Sequence, residues 1–165
     1  MDIIIRRAVV ADFPAVYALF REFAVFQKTP EKLHITLDQL IADEAHFQCF
    51  VAEMDGGADG GGETGGLAEN RGADREIVGF ATFFMAYYSW TGKAIYLDDL
   101  YVRKSSRQYG IGKKLLFAVI DFSKENGCKT VRWLVSRWNG NAMAFYKSIG
   151  AEIYETEMVC VLDNH

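Results

Sequence analysis

Two long apolar segments, separated by a short polar break, constrain the fold of this chain more than any other feature of its sequence. Residues 77–88 and 94–103 are rich in β-branched and aromatic side chains, and residues 89–93 between them have the sequence SWTGK. This pattern is typical of a β-hairpin. After the hairpin and a glycine-containing loop, residues 111–124 repeat apolar side chains at helical spacing, at Ile111, Leu115, Val119 and Phe122. A hairpin followed by a helix in this way predicts a mixed α/β sheet.

The rest of the chain also alternates strands and helices. Asp12 and Pro14 predict the start of a first helix, and Thr36 with Gln39 forms the capping-box pattern of a second. Further strands are expected at 3–7, 47–53, 130–135 and 152–162, and a further helix at 140–148. Because 165 residues support one domain with its own core, we expect a single domain over residues 1–165.

An acidic, glycine-rich insert interrupts this alternation at about residues 54–75. Eight of the 15 glycines fall between Gly56 and Gly72, and residues 53–76 carry seven acids and two bases. The chain has a net charge of −4, so this stretch at −5 leaves +1 for the remainder. Ordering so many glycines is entropically unfavourable, and little apolar surface compensates for it. We expect a flexible loop without a chemical role.

Composition excludes several classes of protein. Hydrophobic residues make up 50% and charged residues 24% of the chain, which is typical of a globular protein. No segment reaches the ~20 apolar residues of a membrane span, and Asp2 stands where a secretory signal has basic residues. The three cysteines, Cys49, Cys128 and Cys160, have no metal-ligand spacing. We therefore expect a soluble cytoplasmic protein with no metal site and no membrane contact.

The loop between the second hairpin strand and the following helix is a candidate binding site. Its sequence RQYGIG, from Arg107 to Gly112, brings backbone amides to a helix N-terminus, where the helix dipole favours an anion. Residues 100–120 contain no acid but five bases, namely Arg103, Lys104, Arg107, Lys113 and Lys114. The Walker pattern is absent, and Leu115 replaces the third glycine of the dinucleotide-binding fingerprint. A pyrophosphate-sized anion is the expected ligand, and the alternative is a plain turn before a basic helix face.

Two blocks of residues resemble the GNAT superfamily of N-acetyltransferases. Its cofactor signature places Gln or Arg three positions before Gly and five before Gly or Ala, which Arg107, Gly110 and Gly112 satisfy. A second block matches in the expected order at Asn139, Ala142, Phe145, Tyr146 and Gly150. Within the superfamily, the chain is most similar to the diamine (spermidine/spermine) acetyltransferases, in the stretches IVGFATFF, WTGKAIYLDDLYV, YGIG, LVSRWN and FYKSIGA.

This resemblance implies a fold, a co-substrate and an assembly. The implied fold is a single α/β domain whose mixed, mostly antiparallel sheet is flanked by helices. Acetyl-CoA is the implied co-substrate, without a metal, and the implied assembly is a homodimer. The residues implied to contact acetyl-CoA are Leu100, Tyr101, Val102, Arg107, Gln108, Tyr109, Gly110, Ile111, Gly112, Lys113, Asn139, Gly140, Asn141 and Ala142.

Asp98 and Asp99 are the candidate acids for handling an amine. Acetyl transfer needs a neutral nitrogen, whereas a free alkylamine has a pKa of about 10. A carboxylate can anchor the ammonium group and accept its proton, directly or through water. Neighbouring strand residues point to opposite faces, so only one acid faces the acetyl group unless a bulge intervenes. The resemblance places Asp98 at the position of the family's substrate-binding acid, which is usually a glutamate. It thereby implies a catalytic role for Asp98. The alternative is that both acids pair with Arg103 or Lys104.

Tyr146 is the candidate general acid. Coenzyme A leaves as a thiolate whose conjugate thiol has a pKa of about 8.5, so a phenol within hydrogen-bond reach can protonate the sulfur. The resemblance assigns this role to Tyr146. The alternative is a core aromatic side chain beside Phe145.

The sequence constrains the amine less than the co-substrate. The resemblance implies substrate contacts at Phe26, Gln27, Trp90, Arg132, Trp133 and Leu134, besides the two acids. The family has an acid at the position of Gln27, and its replacement disfavours long polyamines. A small diamine-like or polyamine-like molecule is the expected substrate. The alternatives are a lysine-like amino acid such as thialysine, a protein amine, or a non-catalytic CoA-binding module. The near-neutral remainder of the chain disfavours a nucleic-acid partner.

Overall fold

The computed structural model describes residues 2–55 and 75–162. The predicted flexible insert lies almost entirely outside the described residues and stays a prediction. The chain divides into two compact units, Met1–Trp133 and Leu134–His165. The single-domain organisation expected from the sequence also stays a prediction.

A five-stranded sheet forms the centre of the first unit. Its strands lie side by side in chain order, and they are β1 (Ile3–Arg7), β2 (Gln48–Asp55), β3 (Arg75–Tyr88), β4 (Gly92–Val102) and β5 (Thr130–Arg132). The first three neighbouring pairs are antiparallel, and β4 pairs with β5 in parallel. The predicted hairpin and the predicted mixed, mostly antiparallel sheet are therefore confirmed.

Four α-helices accompany these strands in the described part of the chain. They are α1 (Phe13–Phe26), α2 (Leu37–Ala42), α3 (Ile111–Glu125) and, in the second unit, α4 (Gly140–Ser148). The capping box of α2 is present, because Thr36 Oγ1 accepts from the Gln39 N–H at 3.2 Å and Gln39 Oε1 accepts from the Thr36 N–H at 3.0 Å. α3 supplies the crossover that a parallel β4–β5 pair requires. None of the described helices has the length and apolar character to cross a membrane.

Both faces of the sheet are covered by aromatic packing. On one face, the Phe20 ring of α1 lies 4.8 Å from the Phe80 ring of β3, measured between ring centres. On the other, the Phe122 ring of α3 lies 5.3 Å from the Phe83 ring. Phe80 and Phe83 are three positions apart on one strand, so they point to opposite faces. The central strands are therefore enclosed on both sides, and Phe80 and Phe83 are fully buried.

β2 and β3 reach two residues closer to the insert than the sequence predicts. Asp55 pairs with Arg75 across the two strands. The Arg75 guanidinium also binds the carboxylates of Asp2, at 2.9 Å, and of Asp55, at 3.3 Å. Strand pairing and ion pairs therefore extend the sheet into residues whose composition alone indicates a loop.

In the second unit, α4 has the predicted bounds but the predicted strand at 152–162 is wrong. Residues 151–162 contain no strand in the described structure. Their apolar side chains indicate a strand by β-propensity, yet Met158, Val161 and Leu162 are 87%, 78% and 88% exposed. A strand needs a neighbouring strand for its backbone and a surface for its apolar face, whereas in the described structure these residues belong to no sheet and the three side chains named are largely exposed. The predicted strand at 130–135 likewise ends early, at Arg132.

Candidate active site

A β-bulge in β4 takes Asp98 out of the regular strand pairing. Thr82 of β3 pairs with Asp99, but the next residue, Phe83, pairs with Leu97, so Asp98 is the extra residue. The backbone N–H of Asp99 donates to Thr82 Oγ1 at 3.2 Å. A bulge changes the direction of the side chains around it. The strict alternation that would separate the two acids is therefore broken at this point.

Asp99 has an unusual affinity for a proton. Burial raises its pKa to about 7, and the nearby charge of Asp98 adds to this rise. Burial also raises the pKa of Asp98, the more exposed of the two side chains. An acid with a pKa near neutrality accepts and releases a proton far more effectively at pH 7 than an ordinary aspartate does. Arg103, one of the alternative partners, instead binds the carboxylate of Glu22 at 3.0 Å.

A phenol lies within electrostatic range of the acid pair, and a guanidinium lies within range of that phenol. Tyr96 of β4 pairs with Arg132 of β5. Burial raises the pKa of Tyr96, the charges of Asp98 and Asp99 raise it further, and the charge of Arg132 lowers it. The Arg132 guanidinium lies 4.5 Å from the centre of the Tyr88 ring. Charges of both signs therefore act on Tyr96.

The glycine loop ends in an open helix N-terminus. Gly110 is the N-cap residue of α3, with a φ of +73° that favours glycine, and it provides no side-chain cap. The N–H groups of the first turn of a helix have no partners within the helix. A Cβ atom at Gly110 would meet nothing within 4 Å. These amides, the space beside them and the helix dipole fit the pyrophosphate of acetyl-CoA.

The bases near this loop are not equivalent. Arg103 already forms ion pairs with the carboxylates of Glu22 and Glu76. In the described structure, attraction of an anion therefore rests mainly on the lysines that flank the loop, which are Lys104, Lys113 and Lys114. An open cleft of about 730 Å³ lies beside Lys104, and its lining residues are Glu22, Val25, Tyr101, Arg103, Lys104 and Ser105.

Arg107 connects the loop to α1. Its Nε–H donates to the carbonyl oxygen of Val102 at 2.9 Å, which ties the loop to the end of β4. Its guanidinium lies 4.6 Å from the centre of the Phe26 ring and 5.5 Å from that of the Tyr101 ring. The structure thus brings Arg107 and Tyr101, which are predicted to contact acetyl-CoA, together with Phe26, which is predicted to contact the amine.

The other predicted substrate residues are spread over the structure. Gln27 is the C-cap residue of α1, directly after Phe26. Trp90 lies in the hairpin turn and is 97% exposed. Asp98 lies six residues beyond the start of β4 at Gly92, roughly 20 Å along the strand. The structure therefore does not bring Trp90 to the acids. Trp133 and Leu134 follow β5, and Leu134 is 62% exposed.

In the second unit, Asn139 and Tyr146 are placed by α4. Asn139 is the N-cap residue, and its Oδ1 accepts from the Ala142 N–H at 3.1 Å, so its side chain has a structural role. Gly140, Asn141 and Ala142 form the first turn of the helix. Tyr146 is 9% exposed, its ring centre lies 5.4 Å from that of Phe145, and burial raises the pKa of its phenol. The phenol is therefore protonated at neutral pH, as a general acid must be.

The cysteines do not form a second candidate site. All three are free thiols, and burial raises the pKa of Cys49 to about 12, so that it stays a neutral thiol. No group of three or more His, Cys, Asp or Glu side chains lies close enough to hold a metal ion within the described ranges.

Sequence reasoning missed Thr82 and Tyr96. Thr82 has the only polar side chain in a run of six buried residues, from Val78 to Phe83. A hydroxyl in such a run needs a hydrogen-bond partner, which was the available signal. Tyr96 gave no signal in the sequence, because its importance depends on the pairing of β4 with β5.

Comparisons with known proteins agree with these features. The model of the "Acetyltransferase (GNAT) family" matches residues 13–151. Thialysine N-epsilon-acetyltransferase of Bos taurus is 32% identical over 154 residues, which cover 91% of this chain and 84% of that protein. L-ornithine N5-acetyltransferase of Arabidopsis thaliana is 37% identical over 90 residues, covering 54% of this chain and 40% of that protein.

Solved structures match the fold over almost the whole chain. An aminoglycoside acetyltransferase from an uncultured soil metagenomic sample, in complex with trehalose, has a TM-score of 0.73 at 23% identity. The match covers 98% of this chain and 97% of that one. At this identity the likeness shows the fold alone, whereas the family model and the Bos taurus relative extend to the sequence of the site. The chain belongs to the acetyltransferase (GNAT) family and is an N-acetyltransferase.

Proposed function

We propose that this enzyme transfers the acetyl group of acetyl-CoA to a primary amine of a small diamine-like or polyamine-like molecule, by direct attack in a ternary complex. The observation that carries this proposal is the acid pair at the bulge, on the strand that leads into the glycine loop. One of the two carboxylates can hold an ammonium ion and the other can accept its proton. Both lie only a few residues before the glycine loop, which is the proposed anion site.

In this proposal, the two acids have different tasks. Asp99 accepts the amine proton, because a pKa of about 7 makes it a better base at neutral pH than its neighbour. Asp98, more exposed, attracts and holds the ammonium group. The sequence prediction instead gives the catalytic role to Asp98, as the carboxylate that accepts the amine proton directly or through water. Tyr146, protonated at neutral pH, donates its phenolic proton to the departing sulfur.

Acetyl-CoA supplies the activated acetyl group when it is bound. Its pyrophosphate is assigned to the first-turn amides of α3, with Gln108, Tyr109, Gly110, Ile111, Gly112 and Lys113 around it. The main chain of Leu100, Tyr101 and Val102 polarises the acetyl carbonyl in this proposal. Gly140, Asn141 and Ala142 complete the proposed contacts.

A lysine-like amino acid is the second candidate substrate, and Arg132 favours it. A diamine carries cations at both ends, whereas thialysine or ornithine also carries a carboxylate. In this proposal, the acids of β4 bind the side-chain amine of such an amino acid, and Arg132 of β5, a substrate contact implied by the resemblance, binds its carboxylate. The names of the Bos taurus and Arabidopsis thaliana relatives support this candidate.

The test is a thiol-release assay with acetyl-CoA and four amines: putrescine, spermidine, thialysine and ornithine. Release with putrescine or spermidine supports the first candidate. Preferential release with thialysine or ornithine, lost in Arg132→Gln while any diamine activity is kept, supports the second. Binding of acetyl-CoA without thiol release for any amine would instead indicate a non-catalytic module.

We also propose a homodimer in the cytoplasm, on the basis of the family resemblance. Sedimentation of the full chain gives the mass of the assembly, and twice 18.6 kDa is expected. A monomeric mass at assay concentration would contradict the dimer.

A further inference from the structure

We propose that the hydroxyl of Thr82 is a positioning group, which holds the bulge at Asp98 and thereby keeps the Asp99 carboxylate oriented for proton transfer. The inference rests on the proposed function, because proton transfer by Asp99 is part of it. Thr82 does not touch the reacting atoms in this account and acts only through Asp99.

A hydrogen bond to a side chain accompanies the change of register at the bulge. In a regular antiparallel pair, backbone N–H groups donate to backbone carbonyls. At the bulge, the Asp99 N–H donates to a side-chain oxygen, Thr82 Oγ1, at 3.2 Å. A buried N–H without a partner is strongly unfavourable, so this contact favours the bulged register over the regular one.

The surroundings of Thr82 leave few alternatives to this contact. Thr82 is 5% exposed, and its neighbours Ala81 and Phe83 are fully buried. On its other side, Cys49 of β2 pairs with Thr82 and is 6% exposed. Water therefore has little access to the Asp99 N–H if the hydroxyl is removed. The β-branched side chain also restricts the rotamer of the hydroxyl, which favours a fixed geometry.

The effect on Asp99 can be isolated, because the other charged groups stay unchanged. Besides each other, the two acids have Tyr96 of the same strand within electrostatic range, and Tyr88 of β3 and Arg132 of β5 act on Tyr96. Substitution of Thr82 alters none of them. A change in the pKa of Asp99 would then report a change in the position of its carboxyl group.

Two substitutions separate the hydroxyl from the packing of the side chain. Thr82→Val keeps the shape and removes the hydroxyl, whereas Thr82→Ser keeps the hydroxyl and removes the methyl group. We expect kcat/KM for the amine to fall about tenfold or more in Thr82→Val, equivalent to the loss of one well-placed hydrogen bond, and to stay within about threefold in Thr82→Ser. The opposite order, with Thr82→Val active and Thr82→Ser impaired, would show that Thr82 only fills space.

The pH profile gives a second readout. In the wild type, kcat/KM for the amine should rise through a pKa near 7. In Thr82→Val this limb should move to lower pH, because burial is the main cause of the raised pKa of Asp99 and a carboxyl group that is no longer held is less buried, while the KM for acetyl-CoA stays unchanged. An unmoved limb would overturn the proposal.

A double-mutant cycle with Asp99→Asn tests whether Thr82 acts through Asp99. Thr82→Val should lower kcat/KM for the amine less than about twofold in the Asp99→Asn background, and an undiminished loss there would contradict the proposal.

If Thr82→Val does not fold, Thr82→Ala and Thr82→Ser replace it. An active Thr82→Ser with an impaired Thr82→Ala supports the role of the hydroxyl, and equal activities of the two variants refute it. Failure of the wild type with every amine would refute the proposed function, whereas an active wild type with an unaffected Thr82→Val would refute this inference alone.

Discussion

The guanidinium of Arg107 lies 4.6 Å from the centre of the Phe26 ring, so the glycine loop is attached to the last residue of α1. The same side chain donates from Nε to the Val102 carbonyl at 2.9 Å. One arginine therefore connects the end of β4, the loop and the helix that carries a predicted substrate contact. This connection by Arg107 depends on the planar shape of its guanidinium and not only on its charge.

Arg107→Lys should therefore impair the enzyme although the charge is kept. Lysine cannot stack as a plane on Phe26 or reproduce the Nε–H bond. We expect the free energy of unfolding to fall by about 1–2 kcal/mol and the KM for acetyl-CoA to rise several-fold. Urea unfolding and initial-rate kinetics measure both, with Lys124→Gln, an exposed cation at the end of α3, as the control. If Arg107→Lys equals the wild type in the free energy of unfolding and in the KM for acetyl-CoA, the contact with Phe26 contributes to neither.

Asp99→Asn should abolish the limb of the pH profile near 7. Above this pH the Asp99 carboxylate is ionised and can accept a proton, so kcat/KM for the amine rises as the pH passes through about 7. Asparagine cannot accept the proton, and we expect a loss of about 100-fold or more at pH 7.5. Asp121→Asn, at an exposed position on α3, serves as the control. A preserved limb near 7 would assign the base to another residue.

The same substitution should stabilise the folded protein at high pH. The pKa of Asp99 is about 7 in the folded state and 3.8 in its reference state, so between these values the folded state binds more protons than the unfolded one. Stability therefore falls as the pH rises from about 4 to 7 and stays lower above. We expect Asp99→Asn to be more stable than the wild type by about 2 kcal/mol at pH 8, after allowance for partial screening by water, and equally stable near pH 4. Urea unfolding at the two pH values measures this, and an equal difference at both would exclude ionisation of Asp99 as its cause.

Tyr146→Phe should lower kcat by about 100-fold with little change in the KM for acetyl-CoA. The ring remains in its buried position, and only the proton donor is lost. Tyr154→Phe is a matched control, since Tyr154 lies in the same unit and is 67% exposed. Single-turnover measurements isolate the chemical step. Unchanged turnover in Tyr146→Phe would leave Tyr146 as a core aromatic residue.

Gly79→Ala should destabilise the sheet beside the acetyl-CoA site. A Cβ atom at this position would lie 2.9 Å from the carbonyl oxygen of Tyr101 and 3.2 Å from Cγ2 of Val102. Because backbone cannot yield as a flexible side chain does, we expect a loss of about 1–3 kcal/mol in the free energy of unfolding. Gly140→Ala is the control, since a Cβ there meets nothing within 4 Å. Equal stability of the two variants would contradict the close approach of β3 and β4.

Local signals explain what the sequence predicts well. The hairpin, the Thr36 capping box and the bounds of α4 depend on neighbouring residues, and all three are found as predicted. The glycine loop is predicted for the same reason, since its spacing and the start of α3 are adjacent in the chain.

Contacts between distant residues explain what the sequence did not predict. The bulge at Asp98 depends on the register of two strands, and the hydrogen bond from Asp99 to Thr82 spans 17 positions. Sequence analysis could name a bulge as an exception but had no means of locating it. The strand predicted at 152–162 is wrong for a related reason, because β-propensity does not supply a pairing partner.

The central claim is that this chain acetylates an amine with acetyl-CoA. Its most direct measurement is the stoichiometry of the reaction with putrescine, spermidine, thialysine and ornithine, with released thiol and acetylated amine quantified in the same samples. We expect one acetylated amine for each thiol released with at least one of these substrates, and loss of both products together in Asp99→Asn. Thiol release without acetylated amine, or no release with any of the four although acetyl-CoA binds, would contradict it.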